Sequence, residues 1–157
     1  MTASSRAGST LRTALRLSWV DWWTVAEATG WLALARLAIL LVRFPALSRR
    51  LGVPMHESTT DDDERHKPAL RRIRWAIGAV SRRAPWRCKC LEQAVAAKVM
   101  LRRRGMESTL YLGVARENSG ASVQAHAWLR CGSYYVTGGE DRARYAVVST
   151  FAEESPE

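Results

Sequence analysis

The spacing of apolar residues changes at Gly105, and that change limits the folds open to this chain. Before Gly105, apolar side chains recur at helical intervals: Leu70, Ile73, Ile77 and Val80 fall at i, i+3, i+7 and i+10 and make one stripe. After it, they alternate. Leu110, Leu112 and Val114 line one side of an extended segment, and His126, Trp128 and Arg130 share one side of another. Helices first and strands afterwards predict an α+β domain, with N-terminal helices followed by a helix packed on a small antiparallel sheet. A length of 157 residues with 47% hydrophobic content is enough for one compact core. No internal repeat is visible.

The helical part reads as follows. Residues 1–10 are rich in Ser, Thr, Ala and Gly and predict a disordered terminus. Residues 11–84 predict a helical region. Asp21 is placed to cap a helix beginning near Trp22, Gly30 marks a break or kink, and Pro45 ends the helix because the residue before proline leaves the α region. The most apolar run, residues 31–42, is interrupted by Arg36 and falls short of the about 20 residues a membrane span needs. It reads as a buried or partner-facing helix, with membrane contact at most peripheral. Most of the 7 tryptophans are expected to pack in the core or between helices. An acidic, turn-forming linker is expected near residues 52–67. Its run Asp61, Asp62, Asp63, Glu64 lacks the spacing of a calcium loop and reads as the solvated start of a helix over residues 68–83. No metal or cofactor is expected.

Residues 85–157 form the expected core. A loop at 85–89 leads into a helix from Cys90 to Arg104, with Ala94, Ala97 and Leu101 on the face of Cys90 and Gly105 as C-cap. Strands follow at 109–114, 123–130, 134–137 and 145–151, separated by turns at 117–121, 131–133 and Gly138-Gly139.

Chemistry concentrates at Cys90. A helix N-terminus offers partial positive charge and free N–H groups. Both stabilise a thiolate, the species that attacks an acyl carbonyl, and the same N–H groups suit a developing oxyanion. Arg87 and Lys89 act in the same direction. The base candidate is His126, mid-strand between Ala125 and Ala127; His56 and His66 lie in or beside the acidic linker. A third group to orient the imidazole is sought at Asp141, with Glu140 as the alternative. Three cysteines, an odd number, with no secretory signal, suit a reducing cytoplasm rather than a disulfide scaffold. The net charge of +9 favours acidic partners, but no nucleic-acid-reading motif accompanies it, so nucleic acid is not expected as a partner.

Four stretches together resemble a known family: Trp86-Arg-Cys-Lys-Cys-Leu-Glu-Gln-Ala-Val, Leu101-Arg-Arg-Arg-Gly105, Thr109-Leu-Tyr-Leu-Gly-Val114 and Ala125-His-Ala-Trp-Leu129. They are similar to the lasso peptide biosynthesis B2 proteins, which have a transglutaminase-like, papain-type cysteine protease fold. The resemblance runs over residues 85–151, and more loosely over the helical half. It implies a stand-alone leader peptidase with Cys90 as nucleophile and His126 as general base. Such an enzyme removes the leader of a ribosomally made precursor, with a small B1-type leader-recognition protein, before a cyclase closes the macrolactam. Many relatives carry an acidic residue about a dozen positions after the histidine. Here that region reads Val136-Thr137-Gly138, and Glu140 and Asp141 come late. The alternative is a non-catalytic peptide-binding scaffold of the same fold.

Overall fold

The computed structural model describes residues 18–86, 88–116 and 122–153. The element order is α1 (Trp19–Leu41), α2 (Phe44–Leu51), β1 (Val53–Pro54), α3 (Lys67–Ser81), α4 (Cys90–Arg102), β2 (Thr109–Arg116), β3 (Val123–Cys131), β4 (Tyr134–Thr137) and β5 (Ala146–Ala152). The expectations for residues 1–10 and for the turn at 117–121 lie outside the described residues.

One antiparallel sheet, ordered β1-β5-β2-β3-β4, carries the helices on one face. The α+β reading therefore holds. A single core joins Ala28 and Leu32 of α1, the predicted stripe Leu70, Ile73, Ile77 and Val80 of α3, Ala94, Ala97 and Leu101 of α4, and Leu110, Ala127, Leu129 and Phe151 of the sheet. The small residues of α4 let it sit close against β3, with α1 and α3 packed on it.

The helical half differs from expectation in its boundaries. Ser18, not Asp21, is the N-cap of α1: its hydroxyl oxygen accepts the Asp21 N–H at 3.2 Å, and Asp21 Oδ2 accepts the Ser18 N–H at 3.0 Å, a reciprocal capping box. Gly30 makes no break, because α1 runs through it without interruption. Helix α1 stops at Leu41, and Pro45 lies in the first turn of α2, where its missing N–H costs nothing.

The acidic stretch is not a free linker, nor does it begin a helix. Asp62 carboxylate oxygens accept the Ser133 N–H at 2.7 Å and its hydroxyl at 2.6 Å, pinning the segment to the β3–β4 turn. Upstream, Arg130 is 4% exposed and sews residues 57–59 to the sheet. It donates to Glu57 Oε2 at 3.2 Å, Ser58 O at 3.0 Å, Thr59 O at 3.1 Å and Tyr111 Oη at 2.9 Å. Trp128 and Tyr111 stack beside it with ring centroids 5.5 Å apart. The sheet thus has two covered faces: helices on one, this segment on the other.

Candidate active site

Cys90 is the first residue of α4 and is half-buried against the core. Gln93 N–H is the first to bond within the helix, to Lys89 O at 3.1 Å. The N–H groups of the preceding turn therefore have no intrahelical acceptor and present their partial positive charge at the thiol. Pro85 and the loop after it break α3 from α4, and this break sets Cys90 at a helix start rather than inside a helix.

The carboxylate of Glu92, two residues on, is 1% exposed. Left unpaired, it would oppose a thiolate. It is met by Arg36 of α1, whose Nη1 lies 2.7 Å from Oε1, while Oε2 accepts the Lys89 N–H at 3.1 Å. Arg36, which interrupts the most apolar run of the chain, is thus the counterion of Glu92 in the first turn of α4. Sequence reasoning passed over this pair. The available signals were a single arginine in an otherwise apolar run and a glutamate in the first turn after Cys90.

Burial raises the pKa of Cys88 and of Cys131. Burial pushes the Cys88 thiol up, and nearby Glu92 adds to this. Ser81, Trp86 and Arg36 pull it part of the way back. The Ser81 hydroxyl and Trp86 indole N–H stand beside the sulfur and reach no oxygen acceptor among the described residues. Cys131 is pushed up to about 11, first by burial and then by the carboxylates of Glu153, Asp62 and Glu107, against the pull of Arg130.

His126 lies on β3 opposite Gly113 of β2. Its ring stacks between Trp128 and Tyr145, at centroid distances of 5.8 and 4.8 Å, and Nε2 is 2.8 Å from Gly138 O. Two glycines make room for this. A Cβ on Gly113 would come within 2.8 Å of Trp128 and 2.9 Å of Tyr145, and one on Gly138 within 2.5 Å of Ala127 O and 3.1 Å of His126 Nε2. Gly138 also has φ +65°, a region side-chain-bearing residues avoid.

Strand alternation decides which way His126 faces. Ala127, Leu129 and Cys131 belong to the core under the helices, whereas Trp128 packs with Tyr111 away from it. His126 shares the Trp128 face, so Cys90 and the imidazole stand on opposite faces of β3. Among the described residues no hydrogen bond joins them. Lys98 of α4 is tied to Ser108 O at 2.7 Å and to Glu153 at 2.9 Å, at the start of β2 and the end of β5. The helix start lies about 12 Å further along α4 from Lys98. β4 stops at Thr137, paired with Leu129, and Gly138 continues the cover over Ala127 and His126.

The structure does not bring the two acidic candidates to the imidazole. Glu140 pairs with Arg74 of α3. Asp141 is exposed and precedes the short 3-10 turn Arg142–Arg144. The group in contact with His126 is the Gly138 carbonyl, 12 positions after it. No cluster of three or more potential metal ligands exists among the described residues.

A family model for the transglutaminase-like superfamily matches residues 31–150, from the middle of α1 into β5. The chain belongs to the transglutaminase-like superfamily. No curated protein and no solved structure gives a significant match. The transglutaminase-like superfamily includes cysteine proteases and transferases, and the match spans both the Cys90 helix and the His126 strand. It also takes in much of α1, consistent with the single core that joins the helical half to the sheet.

Proposed function

We propose that this protein is a cysteine peptidase of the lasso peptide B2 type, acting in the cytoplasm on a precursor peptide held by a B1-type leader-recognition partner. The supporting observation is the place of Cys90: a half-buried thiol at the first position of α4, in a chain of this superfamily, with the nearby Glu92 carboxylate neutralised by Arg36.

In this reading the Cys90 thiolate attacks the scissile carbonyl carbon. The N–H groups of the first turn of α4 receive the oxyanion. The C–N bond breaks as His126 protonates the leaving amine, and a thioester to Cys90 remains. His126 then takes a proton from water, which attacks the thioester and releases the leader and the thiol. The resemblance implies a carboxylate about a dozen positions after the histidine; Gly138 comes 12 positions after His126, and we assign its carbonyl the orienting role of the third member, in place of Asp141 or Glu140. The freed core peptide is then the substrate for macrolactam closure by the cyclase.

The reaction requires His126 to present Nδ1 to the thiol while Nε2 stays on Gly138 O. Catalytic hydrogen bonds are often unformed without substrate. The test is incubation with precursor and B1 partner, read by mass spectrometry. A single cut between leader and core is expected, lost in His126→Ala with the fold retained. Absence of product from the wild-type protein sinks the peptidase reading.

One observation favours a second reading, a non-catalytic peptide-binding scaffold: Cys90 and His126 face opposite sides of β3. In that case the precursor binds and remains intact.

A further inference from the structure

The outward face of α1 is out of keeping with the rest of the surface. The helix has 23 residues and is about 34 Å long. Its three charged residues are all tied to other elements: Asp21 to Arg72, Glu27 to Arg103 and Arg104, and Arg36 to Glu92. The solvent side keeps no charge. It displays Trp19, Trp22, Trp23, Leu34, Leu37 and Leu41, each more than half exposed, and Trp19 and Leu41 are 82% and 79% exposed. Apolar patches of this extent on a small domain mark a docking surface.

We propose that this face seats on an anionic membrane surface, with α1 lying in the plane of the lipid headgroups. Three observations select this occupant. The chain carries a net charge of +9, so a second copy is repelled where an anionic bilayer is attracted. Exposed Arg43, Arg49 and Arg50 follow the helix end and stand ready for lipid phosphates. The tryptophans gather at one end of the face, and indole rings favour the boundary between headgroups and acyl chains.

By length and apolar content α1 is also sufficient to cross a bilayer. Its other face argues for lying flat. Thr24, Ala28, Leu32 and Ala35 are buried, and Ala28, Leu32 and Ala35 belong to the core shared with α3 and α4, so a spanning orientation would tear the core open. With one apolar face in the core of its own domain and the other bare, α1 can meet a bilayer only from the side, with its axis in the plane of the interface.

The test is co-sedimentation of the full chain with vesicles of phosphatidylglycerol and phosphatidylcholine, beside vesicles of phosphatidylcholine alone. The expected result is binding to the anionic vesicles only, with a blue shift of tryptophan emission, and a loss of about tenfold when salt rises from about 0.1 to about 0.5 M. Trp23→Ser/Leu37→Ser should abolish it without lowering the melting temperature, since both side chains face solvent. Arg49→Gln/Arg50→Gln should weaken it and leaves the apolar face intact. Lack of binding to anionic vesicles overturns the proposal. So does resistance of the bound protein to alkaline carbonate, which indicates a spanning helix, and so does a dimer in sedimentation equilibrium that Trp23→Ser/Leu37→Ser dissolves. Vesicle binding is read without any peptide substrate, so it stands or falls separately from the peptidase activity.

Discussion

Replacing Arg36 by methionine removes the counterion of a buried carboxylate at the start of α4. Glu92 is 1% exposed and Arg36 31%, and their contact is 2.7 Å. Removing one partner of a buried pair costs about 3–5 kcal/mol, because the other charge remains desolvated. Two features place this case at the low end. Arg36 is partly solvated already, and Glu92 keeps its bond from the Lys89 N–H at 3.1 Å. The expected loss is about 3 kcal/mol, or a fall in melting temperature of about 6–12 °C for a domain of this size. Urea unfolding followed by circular dichroism measures it, as a lower midpoint at unchanged m. The double variant Arg36→Met/Glu92→Gln removes the stranded charge and should recover most of the loss, to within about 1 kcal/mol of wild type. In the single variant the uncompensated carboxylate also opposes a thiolate at Cys90, so alkylation there should slow. A single-variant loss below about 1 kcal/mol, or a double variant no better than the single, would refute the assignment of Arg36 as counterion.

Other expectations follow from the same structure. Gly138→Ala forces a Cβ to within 2.5 Å of Ala127 O at φ +65°, and should cost about 1–3 kcal/mol by thermal melting, with cleavage reduced further than the stability loss explains. Asp21, Asp62 and Asp63 have pKa values lowered by hydrogen bonds from Ser18, Ser133 and Arg65 respectively, that of Asp63 to about 2. A depressed carboxylate contributes stability that is present above its unfolded value near 3.9 and is lost as pH falls through the folded one. Stability should therefore decline between pH ~4 and ~2, and Ser133→Ala should make that decline shallower in acid titrations read by circular dichroism. Cys131, pushed up to about 11 and buried, should resist iodoacetamide at pH ~8 in the folded protein and react only on unfolding, as peptide mapping will show.

The sequence made some features legible and hid others for physical reasons. The stripe Leu70, Ile73, Ile77, Val80 and the alternation in β2 and β3 are local signals of burial, and they emerge as expected. The start of α4 at Cys90 follows from the break at Pro85, and its small residues do pack on the sheet. Boundaries set by side-chain bonds were harder. Serine and aspartate are both good caps, and only the geometry shows Ser18 capping α1 with Asp21 three residues on. Long-range pairs were invisible: Arg36 with Glu92 is separated by 56 positions, and Arg130 with Ser58 by 72. Alternation did place His126 with Trp128 and Arg130, but which face of β3 the helices cover depends on the whole core. Gly138 escaped notice because the group that meets the imidazole is a backbone carbonyl, which every residue carries.

The most direct test of the central claim compares leader cleavage by Cys90→Ala and Cys88→Ala proteins, each folded and supplied with precursor and B1 partner. The account expects no cleaved peptide from Cys90→Ala and near wild-type cleavage from Cys88→Ala, whose thiol burial keeps protonated. Cleavage that survives in Cys90→Ala, or that is lost only in Cys88→Ala, contradicts it.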